Sequence, residues 1–155
     1  MVTTGGRAYR VLGVLGKGGF GKVYRARLES PSGFVKDVAI KVLNENLTPE
    51  AIQRFRDEAR ILGLINDRAV VSAEPPIQLD GRWVLIMDYA EGLSAKDVLK
   101  QHGPLPPSVA LEVVQEVARV LDRVWNQPGP DGEPLHLLHR DIKPPNIQIS
   151  SAGEA

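Results

Sequence analysis

The sequence predicts an α+β fold, in which strands predominate to about residue 90 and helices follow. Three observations support this prediction. Polar and apolar residues alternate with period two in the first third, apolar residues recur at helical spacing after residue 94, and the pattern changes at DYAEG, residues 88–92. A length of 155 residues, with 43% hydrophobic and 25% charged residues, is ordinary for a globular domain with a buried core.

The first two strands are predicted on either side of the glycine-rich stretch GKGGFG, residues 16–21. Residues 9–15 precede it and residues 23–28 follow it, so the stretch is predicted to be the turn of a hairpin. Two helix-opening phosphate loops are disfavoured, because no helical pattern follows the last glycine and because Val23 stands where a Walker A loop needs a hydroxyl. A hairpin that cradles phosphate and a hairpin without a ligand both remain open.

The third strand, residues 35–43, carries a lysine on an apolar background. Side chains alternate across a strand, so Val38 and Ile40 face one side while Ala39 and Lys41 face the other. An inward ammonium group needs an anionic partner, because an unpaired buried charge is costly. The commoner alternative for a single lysine is a stem that packs on apolar surface and an ammonium group that reaches water.

The first helix is predicted to begin after Thr48, which is suited to the N-cap, with Pro49 in the first turn. Its apolar positions recur at helical spacing as far as Leu62. Glu58 falls inside this apolar stripe and is therefore a natural partner for Lys41. A solvated position at the edge of the stripe is the alternative for Glu58.

The remaining elements are two strands and two helices. Residues 77–79 and 83–87 are predicted strands joined by an Asp-Gly turn. A Ser-x-x-Asp capping box at residues 94–97 opens a helix that a Gly-Pro pair ends. Residues 108–127 carry apolar side chains along one face, which predicts a long amphipathic helix.

Charge and cysteine content exclude several classes of function. The 19 basic and 19 acidic residues balance, so no overall charge draws the chain to nucleic acid or to an anionic membrane. No cysteine is present to form a disulfide or a thiolate metal site. No apolar run approaches the roughly 20 residues that span a bilayer, and the first residues lack the apolar segment of a signal peptide. We therefore expect a cytoplasmic chain, with anchoring elsewhere in a longer parent protein left open.

Three motifs together resemble the amino-terminal part of the protein kinase fold. The glycine stretch matches GxGxxGxV through Val23, residues 38–41 match VAIK, and residues 139–146 match HRDLxxxN with Ile142 in place of leucine. The three motifs occur in the order of the family, and the resemblance extends over residues 9–149. That order makes the resemblance specific, although a glycine loop alone would be a weak signal.

The resemblance implies a kinase-like division of the chain. Residues 9–90 would form a complete β-rich N-lobe with one large helix, and residues 91–155 the hinge and the first helical part of the C-lobe. It implies ATP and Mg²⁺ as cofactors and a protein with serine or threonine hydroxyls as substrate, because a lysine two residues after the catalytic aspartate resembles serine/threonine kinases. Neither nucleic acid nor a membrane segment of this chain is expected among the partners.

The resemblance also implies roles for individual residues. Lys41 would hold the α- and β-phosphates of ATP, and Glu58 would hold Lys41. Asp141 would accept the proton of the substrate hydroxyl, Lys143 would lie beside the γ-phosphate, and Asn146 would bind Mg²⁺ through its amide oxygen. The other residues expected to contact the nucleotide are Leu15, Gly16, Gly18, Gly21, Val23, Ala39, Asp88 and Ala90. His139 is expected to be the packed histidine of the catalytic loop.

Two departures from the family pattern bear on function. Gln148 stands where the family usually has an apolar residue beneath the adenine. The family's DFG segment, whose aspartate holds magnesium, is expected after Asn146 but does not occur within the 155 residues. We therefore expect a partial kinase domain whose activity alone is doubtful, and whose uncovered C-lobe surface favours self-association.

Two alternative functions remain open. A non-catalytic nucleotide-binding or interaction module could use the same half-fold, and an in-frame DFG beyond codon 155 would exclude it. A small-molecule phosphotransferase of the aminoglycoside-kinase type shares the lysine, the glutamate and an HxDxxxxN loop. Arg140 and the complete glycine-loop signature argue against this second alternative.

Overall fold

The computed structural model describes residues 2–4, 6–45 and 47–150. The chain divides into two compact units, one formed by Met1–Leu64 and Val71–Tyr89, the other by Ile65–Val70 and Ala90–Ala155. The division at residues 9–90 and 91–155 stays a prediction, and the last residues of that second range, 151–155, lie outside the described residues.

The first unit is a six-stranded antiparallel sheet with one helix. Its elements are β1 (Val2–Thr4), β2 (Arg7–Gly18), β3 (Gly21–Glu29), β4 (Val35–Leu43), α1 (Pro49–Leu62), β5 (Ile77–Leu79) and β6 (Arg82–Asp88). The strand order is β1-β2-β3-β4-β6-β5. The predicted strands and helix of this unit are confirmed, and β4 has the predicted bounds. Strand β1 was not predicted.

The two faces of this sheet carry separate apolar clusters, because successive side chains of β4 and β6 point to opposite sides. One cluster contains Val38 and Ile40 with residues of β2, β3 and β6. The other packs α1 against the sheet through four buried residues, Leu43, Phe55, Ala59 and Leu85. Lys41 lies on the strand face that carries this second cluster, as the alternation predicts.

Local signals fix the ends of the elements in the first unit. Thr48 caps α1, and its Oγ1 accepts a hydrogen bond from the N–H of Ala51 at 3.3 Å. Asp80 and Gly81 both have positive φ angles, 49° and 75°, which suits the two-residue turn between β5 and β6. Strand β2 is longer than predicted, because its pairing with β3 continues to Gly18 opposite Gly21.

The second unit contains two α-helices, a 3₁₀ turn and a two-stranded antiparallel ladder. Its elements are β7 (Leu93–Ser94), α2 (Ala95–His102), α3 (Pro107–Asn126), a 3₁₀ turn (Pro144–Asn146) and β8 (Gln148–Ile149). The two helices confirm the predicted ones, and Ser94 caps α2 by accepting from the N–H of Asp97 at 3.1 Å. The β7–β8 ladder and the 3₁₀ turn were not predicted, because segments of two or three residues carry no periodicity.

The segment 65–70 belongs to the second unit through contacts with α3. Arg123 donates to Asp67 at 2.6 Å and 3.2 Å, and the side chain of Gln127 accepts from the N–H of Asn66 at 2.8 Å. The Arg123 guanidinium lowers the pKa of the nearly buried Asp67 carboxyl. None of the helices in the described part of the chain combines the length and the apolar character needed to cross a membrane.

Candidate functional site

The glycine-rich hairpin is the tip of β2 and β3. Gly18 pairs with Gly21, so the turn itself consists of Gly19 and Phe20. Gly21 also pairs with Leu43, and a Cβ atom at Gly21 would overlap the backbone carbonyl of Val42 on β4. The fold therefore requires glycine at position 21, because the two strands approach too closely for a side chain.

Gly16 and Gly18 lie in a different environment. A Cβ atom at either position would have no neighbouring heavy atom within 4 Å, and neither residue has a positive φ angle. The protein's own packing thus does not require glycine there, and the absence of side chains leaves room for a ligand to approach the backbone. Leu15 lies between Val14 and Gly16, where the register of the β2–β3 ladder shifts, and it is 48% exposed.

Lys41 and Glu58 form an ion pair between β4 and α1. The Nζ atom of Lys41 lies 2.9 Å from each of the two carboxylate oxygens of Glu58. The lysine side chain is only 24% exposed, whereas that of Glu58 is 51% exposed. The ring of Phe55 lies 5.7 Å from Nζ and belongs to the buried cluster beneath α1. The structure thus pairs the two residues that the sequence singled out, and their role with nucleotide stays a prediction.

Apolar residues flank Lys41 across the sheet. Val23 on β3 and Leu85 on β6 pair with it in register. Ala39, two residues earlier on the same face, is buried and pairs with Met87. Three residues expected to contact the nucleotide, Val23, Ala39 and Lys41, are therefore neighbours on one face of the first unit.

The end of β6 is held by several polar contacts. The N–H of Asp88 donates to the carbonyl of Ser72 at 2.9 Å, and the carboxylate of Asp88 accepts from Lys36 at 2.6 Å. The guanidinium of Arg25 lies 4.4 Å from the centroid of the Tyr89 ring. Asp88 therefore lies on a segment whose position is restrained by contacts with Ser72 and Lys36.

Arg25 also takes part in an ion-pair cluster that the sequence analysis missed. It donates to Asp37 at 2.5 Å and 3.0 Å, and Arg27 donates to the other oxygen of the same carboxylate at 2.9 Å. Hydrogen bonds from Arg27 and Arg25 lower the pKa of Asp37. The available signal was the alternation of arginines with apolar residues on β3, together with one acidic residue on the next strand.

In the second unit, the candidate catalytic residues lie together on one exposed loop. Asp141 contacts Lys143, whose Nζ lies 2.8 Å from Oδ1. Asn146 donates from Nδ2 to Oδ2 of Asp141 at 3.0 Å and to its backbone carbonyl at 2.9 Å. The hydrogen bonds from Lys143 and then Asn146 lower the pKa of Asp141, so its carboxylate form is favoured.

The loop around Asp141 is shaped by its backbone. Arg140 has a φ angle of 60°, which is uncommon for a residue with a side chain and occurs often at functional sites. The Nδ1 atom of His139 accepts from the N–H of Asp141 at 3.3 Å. His139 is exposed in the part of the chain that the structure describes, so the expectation that it is packed is wrong there.

Short strands hold the segment that follows Asn146. Gln148 pairs with Ser94 in the β7–β8 ladder, and the carbonyl of Ile147 accepts from the N–H of Ala95 at 2.8 Å. Gln148 is half-buried and remains a polar residue at the position where an apolar one was expected. Ala90, the last residue expected to contact the nucleotide, is half-buried in this second unit.

The donor atoms suit a hard cation better than a soft one. Because Nδ2 of Asn146 is engaged with Asp141, the amide oxygen is the atom left for a metal, and amide and carboxylate oxygens are ligands that Mg²⁺ prefers. Across residues 2–4, 6–45 and 47–150, no three His, Cys, Asp or Glu side chains come together as a metal site. Asn146 and Asp141 alone could therefore offer only part of a magnesium shell.

Comparison with known proteins gives consistent results. A family model described as "Protein kinase domain" matches residues 9–155. The chain is 36% identical over 147 residues to the serine/threonine-protein kinase pkn2 of Myxococcus xanthus, covering 94% of the chain and 16% of that protein. It is 31% identical over 150 residues to a probable serine/threonine-protein kinase of Clostridium perfringens, covering 96% of the chain and 20% of that protein.

A solved structure is similar over almost the whole chain. The crystal structure of the Mycobacterium tuberculosis PknI kinase domain matches with a TM-score of 0.71 and 29% identity, covering 97% of this chain and 57% of that one. The serine/threonine-protein kinase PrkC of Bacillus subtilis is 31% identical over 150 residues, covering 94% of the chain and 21% of that protein. The chain thus spans about a fifth of the length of these curated relatives.

Proposed function

Because the chain belongs to the protein kinase domain family, and its relatives are serine/threonine-protein kinases, we propose that it transfers the γ-phosphoryl group of ATP to serine or threonine hydroxyls of a protein. Family membership, the serine/threonine type and the kinase-like α+β fold predicted from sequence are confirmed. The reaction itself, its cofactors, its substrate and the residue roles are the proposal.

The Lys41–Glu58 ion pair is the observation that best supports this function. An ammonium group held at 2.9 Å from both carboxylate oxygens has a fixed position and is ready to contact a second anion. Its lysine stem passes between buried apolar groups, so ordering it for the ligand costs little further entropy. Lys41 would bind the α- and β-phosphates, and Glu58 would keep it in place.

Further residues are proposed to contact the rest of the nucleotide. The backbone at Gly16 and Gly18, which no neighbouring side chain of the described residues covers, would approach the phosphates, with Gly21 setting the approach of β3 to β4. The remaining members of the proposed nucleotide set are apolar or act through the backbone: Leu15, Val23, Ala39, Asp88 and Ala90.

Asp141 would orient the substrate hydroxyl and accept its proton. Its pKa is held low by Lys143, so the carboxylate is a weak base in the resting protein. Phosphoryl transfer depends more on positioning and charge stabilisation than on a strong base, so orientation is the larger part of this role. If Lys143 moved from Asp141 to the γ-phosphate, the pKa of Asp141 would rise, and its carboxylate would accept a proton more readily. Lys143 would thus couple phosphate binding to proton acceptance.

Asn146 would be the protein's contribution to binding Mg²⁺ in the described part of the chain. When bound, Mg²⁺ would neutralise negative charge on the phosphates. The hydrogen bond from Nδ2 to Asp141 fixes the amide so that Oδ1 is available. We propose that this part of the chain works in the cytoplasm, where ATP would be available to it.

Substitution of Lys41 tests the proposal in the full-length gene product. Lys41→Met should reduce phosphoryl transfer to a serine/threonine substrate by about a hundredfold or more, because a preorganised charge at the phosphates is lost. Lys100→Met, which removes an exposed lysine of α2, is the matched control and should leave transfer unchanged. Equal transfer by the Lys41→Met and Lys100→Met proteins would contradict the assignment.

A second substitution separates catalysis from binding. Asp141→Asn should lower transfer by about 10²- to 10⁴-fold while the dissociation constant of Mg-ATP stays nearly unchanged, because its role is confined to the transition state. Equal losses of binding and rate would indicate a structural role. ATP binding with no transfer by the unmodified full-length product would favour the non-catalytic module instead.

A further inference from the structure

The turn of the glycine hairpin is tied to the segment that follows β4. The side-chain Nδ2 of Asn44 donates to the carbonyl of Gly19 at 2.9 Å. The backbone N–H of the same residue donates to the carbonyl of Phe20 at 3.1 Å. Both residues of the turn are therefore held by Asn44, a residue that the motifs in the sequence do not include.

The same segment of chain carries Lys41. Asn44 follows Lys41 by three residues. Between them lies Val42, whose backbone carbonyl would be overlapped by a Cβ atom at Gly21. The tip of the hairpin and the Lys41 ammonium are thus positioned by one short stretch of β4 and its end. A glycine-rich turn has many accessible conformations when free, so two hydrogen bonds restrict it substantially.

We propose that Asn44 is a positioning residue, which holds the glycine hairpin where its backbone and Lys41 can bind the same phosphate chain. This positioning role rests on the proposed function, because it concerns how the phosphates of a nucleotide are held. The side-chain hydrogen bond to Gly19 removes part of the entropy that phosphate binding would otherwise cost. The benefit applies to the phosphates and not to the nucleoside, which contacts neither Gly19 nor Phe20 in this scheme.

A purely structural role for Asn44 makes a different prediction. If the side chain only stabilised the end of β4, its removal would lower thermal stability and leave the ratio of the ATP and adenosine dissociation constants unchanged. That ratio therefore distinguishes positioning of the hairpin from general stabilisation.

The test measures binding of ATP and of adenosine by calorimetry to the full-length gene product. Asn44→Ala should weaken ATP binding about threefold to tenfold, the effect of one neutral hydrogen bond, and leave adenosine binding within about twofold. Asn44→Asp keeps the shape but cannot donate, so it should weaken ATP binding at least as much. The matched control is Gln53→Ala, which loses an exposed amide hydrogen bond to Asp57 at 3.0 Å on α1 and should change neither constant.

Hydrogen exchange supplies a measurement that needs no variant. In the unmodified chain, ATP should slow exchange of the Asn44 amide and of the amides at residues 18–22, whereas adenosine should not. An unchanged ATP-to-adenosine ratio in both Asn44 variants, or equal protection by the two ligands, would overturn the positioning role alone. Failure of the unmodified chain to bind ATP would overturn both this role and the proposed nucleotide site.

Discussion

The two groups of candidate residues are held in place by different physical means. Lys41 and Glu58 are 17 residues apart in sequence, and their ion pair joins a central strand to a helix packed on a buried cluster. Asp141, Lys143 and Asn146 lie within six residues of one another on an exposed loop. The first group is therefore positioned by tertiary packing, whereas the second is positioned by local hydrogen bonds and backbone geometry.

This difference determines what each group is sensitive to. The Lys41 side chain is mostly covered and its position depends on the packing beneath α1, so the Lys41–Glu58 geometry should follow the stability of the whole first unit. Exposed ion pairs are screened by salt and contribute little to stability, so the Asp141 loop should respond to pH and ionic strength without any change in the fold. Four predictions test this contrast.

Truncating the packed aromatic residue under Lys41 should have the largest effect. Phe55 is buried against Leu43 and Leu85, and Phe55→Ala should lower the free energy of unfolding of the first unit by about 3–5 kcal/mol. Phe34→Ala, at a residue that is 56% exposed, is the matched control and should change it by less than about 0.5 kcal/mol. The measurement is urea unfolding, and similar losses for the two variants would contradict the assignment of Phe55 to the core that supports Lys41.

Two glycines of the hairpin should separate the demands of the fold from those of a ligand. Gly21→Ala forces the Val42 carbonyl aside and should destabilise the chain by about 1–3 kcal/mol. Gly16→Ala meets no neighbouring atom, so it should leave stability within about 0.5 kcal/mol and weaken ATP binding instead. Thermal unfolding and calorimetric titration check the pair. Equal destabilisation by the two substitutions would show that the open space at Gly16 does not exist in solution.

The same contrast explains what the sequence could predict. The strands and α1 were predictable because alternation, helical spacing and the Thr48 cap act over local stretches, and β4 was found at its predicted bounds. The Lys41–Glu58 pair could also be anticipated, because both charges fall on apolar faces that must meet. The Asn44 tether could not, because it depends on where the hairpin turn lies relative to the end of β4.

His139 was wrongly predicted to be packed, for a related reason. The packed position was expected from the family motif, which extends over only eight residues, 139–146. A motif predicts the residue's identity and local backbone, but burial depends on which other elements surround it. The hydrogen bond from the Asp141 amide to His139 is local and is present without that packing.

The apolar face of α3 should make the second unit prone to self-association. Leu111 and Val114 are 68% and 65% exposed, and neighbouring exposed apolar groups of this kind favour association. We expect the sedimentation coefficient of the 155-residue chain to rise with concentration, and the double substitution of Leu111→Lys and Val114→Lys to abolish the rise. Gln115→Lys adds the same kind of charge at an exposed polar position of α3 and should leave it unchanged. A wild-type chain that stays monomeric at every concentration would contradict this prediction.

The smallest expected effect is a shift in the titration of Asp141. Its pKa is lowered mainly by Lys143 and then by Asn146, so the carboxylate stays ionised to a lower pH than an isolated aspartate. Any stability from this contact is therefore present above the ordinary aspartate pKa and is lost as the pH falls through the lowered value. Lys143→Met should raise the pKa of Asp141 towards its ordinary value, and Asn146→Ala should raise it less.

Carboxyl-carbon resonances measured by NMR against pH would follow this shift, and the chain offers an internal control. The pKa of Asp67 is also lowered, but by Arg123, so it should be unaffected by Lys143→Met. Added salt should raise the pKa of the exposed Asp141 more than that of Asp67, whose side chain is 9% exposed, because burial protects an ion pair from screening. If neither Lys143→Met nor added salt changed the pKa of Asp141, backbone geometry rather than these side-chain contacts would set the ionisation of the proposed base.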